Sequence, residues 1–134
     1  MNVPVWSKDL TLTLEVLVEI NTVLAAVAVT DVETAVTWYE TFLGQPPTPR
    51  PMPILAEWHV EAGHLQLVQD PERAGTSLLT LDVNRLDQVA VEVADAELVA
   101  EPLDITHGDT VRFAQILDPD GNTITLVETP TGAR

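Results

Sequence analysis

Glu57, His59 and Glu61 alternate along Ala56-Glu57-Trp58-His59-Val60-Glu61, and His64 follows a short turn later. Residues two apart in a strand share a face. Ala56, Trp58 and Val60 therefore suit packing against a helix, while Glu57, His59 and Glu61 turn to the opposite, concave side. The adjoining run Leu65-Gln66-Leu67-Val68 places His64 beside His59. An imidazole near neutrality with a carboxylate to orient it is a proton shuttle, which makes His59 a candidate acid or base and Glu57 its partner. Two other readings stay open: a pair of rim histidines bonded to backbone or water, and a metal held by both imidazoles and a glutamate. His107 has no ligand spacing and reads as a surface loop residue.

The elements that must position these side chains announce themselves by period and punctuation. Asp118-Pro119-Asp120-Gly121-Asn122 lies between two β-rich runs, 111–117 and 123–128, and spells a hairpin turn. Val29-Thr30-Asp31-Val32-Glu33 ends a strand and opens a helix with a Thr-x-x-Glu capping box, and Val83-Asn84-Arg85-Leu86-Asp87 repeats the arrangement with an Asn cap. The first helix spans roughly Asp31 to Leu43, with Ala35, Val36, Tyr39, Phe42 and Leu43 on one stripe, Trp38 off it and Gly44 as terminator. The second spans about Arg85 to Leu98, although Val89, Val91 and Val93 also fit a strand. Pro46, Pro47, Pro49, Pro51 and Pro53 mark a stiff connection or an edge strand. Leu10 to Ile20 alternates at period two and predicts a long extra strand, which needs an exposed edge to pair with, in its own sheet or in a partner subunit.

The closing hairpin, the two strand-to-helix caps and the matched closing strands Leu65-Gln66-Leu67-Val68 and Ile124-Thr125-Leu126-Val127 form a weak internal repeat over Val23 to Glu128. In this the chain resembles the vicinal oxygen chelate superfamily, which contains glyoxalase I, extradiol dioxygenases, fosfomycin-resistance enzymes and bleomycin-resistance proteins. The resemblance implies an α+β fold of two βαβββ modules, about 22–70 and 77–128, forming a cup-shaped mixed sheet in one domain over 22–134, with 1–21 as an N-terminal strand extension. It also implies a homodimer, in which the N-terminal strand is either exchanged between protomers or added within one.

Metalloenzymes of that superfamily collect four ligands in the cup, and the resemblance carries their positions onto Leu24, Gln66, Leu78 and Thr125. Two aliphatic side chains, an amide and a hydroxyl supply no anionic ligand to a divalent ion. The expectation is no metal and no cofactor. Strand parity turns Leu24, His64, Gln66, Leu78, Thr80, Asp82 and Thr125 into the cup as ligand-binding residues. Arg112 and Ala114 are placed with them because Phe113 suits packing against a helix, an assignment that hairpin register decides. Glu128 falls on the other face as a solvent-facing strand end.

Composition narrows the partners. The 134 residues are 46% hydrophobic, without an apolar run long enough to cross a bilayer, and contain no cysteine, so disulfides and thiolate chemistry are excluded. A net charge of −15 with one lysine argues against nucleic acid. The acidity suits either steering of a cationic ligand or simply a solvated surface. With no secretory leader pattern the chain reads as cytoplasmic. Three functions are compatible: a metal-free protein that sequesters an apolar or cationic small molecule, a metal-independent isomerase, cyclase or lyase using His59 and Glu57, and a regulatory module with a vestigial pocket.

Overall fold

The computed structural model describes residues 4–6, 12–14, 17–48, 50–61 and 63–130. The element order is β1 (Pro4–Trp6), β2 (Leu12–Leu14), β3 (Leu24–Val29), α1 (Val32–Leu43), β4 (Leu55–Val60), β5 (Gly63–Gln69), β6 (Leu78–Asp82), α2 (Leu86–Asp95), β7 (Thr106–His107), β8 (Arg112–Leu117) and β9 (Thr123–Glu128). The class is α+β. A three-stranded sheet runs β3-β5-β4 and a four-stranded sheet β6-β9-β8-β7. In each, a strand followed by a helix pairs in parallel with the module's last strand, which pairs antiparallel with the one before it.

The second unit has the full βαβββ order, whereas the first has one strand fewer among the described residues. The proline-rich segment stands where that strand would be. Proline lacks the N–H a ladder requires, and the stretch bonds to β4 through the Thr48 N–H to the Glu57 carbonyl at 3.1 Å. The long N-terminal strand is also corrected. Leu12–Leu14 pairs antiparallel with Pro4–Trp6 in a two-stranded sheet of its own, and residues 17–23 lie outside any strand. His107, expected in a loop, forms β7 with Thr106.

Each helix start differs from its sequence signature. Asp31 caps α1, its carboxylate accepting from the Glu33 N–H, while Gln69 Oε1 takes the Val32 N–H at 3.0 Å. Thr30, the expected capping-box hydroxyl, instead donates to Asp120 at 2.6 Å. For α2 the capping residue is Arg85 in the left-handed region (φ 55°) rather than Asn84, and no side chain of its own caps the turn. The carboxylate of Glu128, from β9, accepts the Leu86 N–H at 3.2 Å and does the capping. The helix ends at Asp95, before the expected Leu98. Gly44 terminates α1 as expected, at φ 76° with its N–H on the Glu40 carbonyl.

The core fills the space between helices and sheets. Val27, Ala56, Trp58 and Leu67 pack under Ala35 and Tyr39 of α1, and Ala114, Ile116, Ile124 and Leu126 under Leu86 and Val93 of α2. Burying each large side chain of this kind is worth about 1.5–3 kcal/mol. Trp58 keeps its indole N–H satisfied by the Gln45 carbonyl at 2.8 Å, and Trp38 stacks on Phe42 at 5.2 Å between ring centroids.

The turn at 118–122 joins the two units. Asn122 is fully buried; its amide nitrogen donates to the Ala28 carbonyl and to Asp118 Oδ2, both at 2.8 Å. Its carbonyl accepts the N–H groups of Gly75 and Ser77. Every polar atom of that side chain is thereby used across β3, the inter-module connection and the turn. Ser77 adds a link of its own, its Oγ accepting the Ala28 N–H at 2.9 Å.

Candidate functional site

The sheet faces opposite the helices are open, and they carry the polar groups singled out above. On the first sheet, direct pairing sets Leu24 against His64, Ala26 against Gln66 and Glu57 against Gln66. His59 and His64 are cross-strand neighbours with ring centroids 3.9 Å apart. Glu57 Oε2 lies 3.6 Å from His59 Nε2, and its other oxygen accepts from the Gln66 amide at 3.1 Å. The amide thus holds the carboxylate toward the imidazole. His59 is half exposed, Glu57 largely covered, and His64 Nδ1 is buried without a hydrogen-bond partner among the described residues. An unpaired buried nitrogen is uncommon because it forfeits its hydration. Glu61 lies in the exposed β4–β5 turn, off this cluster.

On the second sheet Thr80 pairs with Thr125 and Leu78 with Thr123, and Thr125 accepts a hydrogen bond from Gln115 at 3.3 Å. Leu78 is 83% exposed and Leu24 40%. Asp82 stands at the end of β6 on the same face, paired with Val127.

Arg112 is on the other side, and so is Ala114, which belongs to the core. In the β8–β9 register Gln115 lies opposite Thr125, so Phe113, Gln115 and Leu117 line the open face. Arg112 reaches under α2, donating from Nε to Glu128 at 3.1 Å and from Nη2 to Asp87 at 3.1 Å. Sequence parity had the two faces of this strand reversed, because Phe113 is only half-buried and two small or aliphatic residues, Ala114 and Ile116, fill the helix side. The Arg112 and Leu86 contacts hold the Glu128 carboxyl below the usual carboxylate range. Glu128 is on the helix side as expected, yet it is a cap and an ion-pair partner.

One depression on the open side combines cup residues that strand parity gives, Ala26, Ala28 and Val68, with a rim that it does not. Ala26, Ala28 and Val68 floor a hollow of about 280 Å³ whose rim is Asp70, Arg73, Thr76 and Ser77. The signal lay in the small residues of β3: two alanines on one face leave room above a strand. The rim comes from the connection at 70–77, whose course no local pattern predicts.

The superfamily's metal positions do not fit a metal here. Leu24 and Leu78 offer no donor, Gln66 is engaged with Glu57, and Thr125 with Gln115. Among the described residues no group of three histidine or acidic side chains is arranged to hold an ion. No described helix is long and apolar enough to cross a membrane.

No family model and no curated protein matches the sequence. Solved structures do. A glyoxalase / bleomycin resistance protein from Catenulispora acidiphila is 37% identical, with a TM-score of 0.72, covering 81% of this chain and 98% of its own. A lactoylglutathione lyase from Agrobacterium tumefaciens (14% identical, TM-score 0.67, 83% and 95% covered) and a glyoxalase/bleomycin resistance protein from Albidiferax ferrireducens (20%, 0.61, 80% and 97%) share the fold. A sheet-and-helix unit built twice, closed by one buried asparagine turn, and an identity of 37% over nearly the whole of a solved relative place this chain in the glyoxalase/bleomycin resistance protein family, on the vicinal oxygen chelate fold.

Proposed function

We propose that this protein binds an apolar or cationic small molecule on the open sheet faces without a metal, in the manner that the name bleomycin resistance protein suggests for its 37% identical relative. The observation that carries the reading is the identity of four side chains: Leu24 and Leu78 occupy positions where metalloenzymes of the superfamily usually carry His or Gln, and Gln66 and Thr125 positions where they usually carry Glu. His64, Thr80 and Asp82 supply polar contacts beside them. The net charge of −15 favours a cation by long-range attraction. The binding unit is a cytoplasmic homodimer. Leu24, Leu78 and Leu117, each exposed on a sheet face that no described helix covers, support a second copy closing the cavity.

Two titrations test this. Calorimetry with Zn²⁺ and with Ni²⁺ should show no stoichiometric binding to the dialysed protein. Metal-free bleomycin and smaller aromatic cations should raise the melting temperature in a dose-dependent, chelator-insensitive way. A divalent ion bound one per chain, and lost in Gln66→Leu, would sink the proposal.

A second reading rests on the unpartnered His64 Nδ1 next to the Glu57-oriented His59. It is a metal-independent isomerase, cyclase or lyase in which His59 moves a proton and Glu57 positions it. In that case His59→Ala abolishes turnover and leaves ligand affinity in place, whereas a binder has no turnover to lose.

A further inference from the structure

A crevice of about 320 Å³ opens on the helix side of the molecule, away from the sheet faces, between the end of α1 and the length of α2. Phe42 and Leu43 of α1, Val89 and Val93 of α2 and Leu126 of β9 line it. This volume falls at the lower end of the range for small-ligand sites. Apart from Thr41, Gly44 and Glu92 the lining side chains are aliphatic or aromatic, so among the described residues Glu92 supplies the only formal charge. The Glu92 carboxylate is half engaged, one oxygen accepting from the Gln88 amide at 3.2 Å, which steadies it at the edge of the crevice. The wall is shared between units: Phe42 and Leu43 belong to the first helix, Leu81, Val89 and Val93 to the second unit.

We propose that this crevice is a second ligand site, for a small apolar amine whose hydrocarbon chain lies between Phe42 and Val89 and whose ammonium meets Glu92. Chain burial supplies the driving force, since the methylenes are removed from water. The single carboxylate sets the sign of the head group. The overall negative charge concentrates cations at the same surface.

The test uses the full chain and three probes of equal length at neutral pH: hexylamine, hexanol and hexanoate. Hexylamine should raise the melting temperature saturably, hexanol should bind about threefold more weakly, and hexanoate more weakly still. Glu92→Gln should bring the amine and the alcohol to equal affinity. Ala96→Phe, at an exposed position on the crevice lining, should remove the response to all three without unfolding the protein. Gln66→Leu, on the opposite side, should leave the amine response intact, which separates this site from the open-face site. An amine response that survives Ala96→Phe or is lost in Gln66→Leu overturns the assignment, as does an equal response to amine and carboxylate.

Discussion

The hydroxyl of Tyr39, in the middle of α1, donates a 2.7 Å hydrogen bond to Asp118 Oδ2 at the start of the closing turn, 79 residues away. Both residues are buried, Tyr39 fully and Asp118 to 5% exposure. The bond ties the first unit's helix to the second unit's hairpin. Tyr39→Phe leaves a buried carboxylate oxygen with one partner fewer, and should lower unfolding stability by about 1.5–3 kcal/mol, read as a drop in urea midpoint at unchanged slope.

Burial, and then the Asp118 carboxylate, raise the Tyr39 pKa far above the ordinary phenol range. A group with a raised folded pKa contributes stability that is complete below its unfolded value, near ~10, and is lost as pH climbs above it. Tyr39 is the only tyrosine in the chain, so phenolate absorbance reports on it alone. It should ionise together with alkaline unfolding rather than as a separate step near ~10.

Asn122 bonds through every polar atom of its side chain. Asn122→Ala orphans the N–H groups of Gly75 and Ser77 and the Ala28 carbonyl, at a cost of about 3 kcal/mol or more. Asn122→Asp should be worse, because it sets a second buried carboxylate beside Asp118. Equilibrium denaturation of both variants checks the order.

Gly75 and Gly44 both have positive φ, at 90° and 76°, but differ in their surroundings. A Cβ on Gly75 would stand 2.7 Å from the Asp120 carbonyl oxygen, whereas at Gly44 it meets open space. Gly44→Ala should cost about 1 kcal/mol for conformation alone, and Gly75→Ala clearly more. Equal midpoints for the two would contradict the close approach.

Glu128 has its pKa lowered first by the Arg112 guanidinium and then by the Leu86 N–H. A depressed carboxylate stabilises the fold fully above its unfolded value, near ~4.3, and that contribution disappears as pH falls through the folded value. Glu128→Gln should therefore flatten the acid side of the stability profile below about pH 4, and Arg112→Met, which lets the folded value rise toward the unfolded one, should flatten it as well. Urea midpoints across pH 2–6 measure both.

Much of the architecture was legible in local pattern. Gly44 ended a helix where a glycine follows an apolar stripe, and the runs at 56–61, 65–68 and 123–128 fall on strands, with Ala56 and Trp58 under the helix as expected but Val60 exposed and Glu61 in the turn beyond the strand. Parity put Glu57, His59 and His64 on one face, and the hairpin register then set His59 opposite His64. Local pattern misled where the deciding partner is remote. Thr30 and Asn84 have capping chemistry, yet Asp120 claims the first and Glu128 replaces the second. The strand 111–117 has apolar residues of comparable size on both faces, so nothing within it reports that α2 covers Ala114 and Ile116.

By itself the sequence determined the periods, the turn chemistry, the lack of thiols, the acidity and the absence of chelating groups at Leu24 and Leu78, because each of these depends on residue type or short-range geometry. Only the tertiary structure decided that Asn122 joins the two units, that Arg112 lies on the helix side against Glu128 and Asp87, and that a crevice lies between α1 and α2. Those outcomes depend on which distant groups arrive to satisfy a buried donor or leave a gap unfilled, and hydrogen bonds between residues 42 to 94 positions apart leave no periodic trace in the chain.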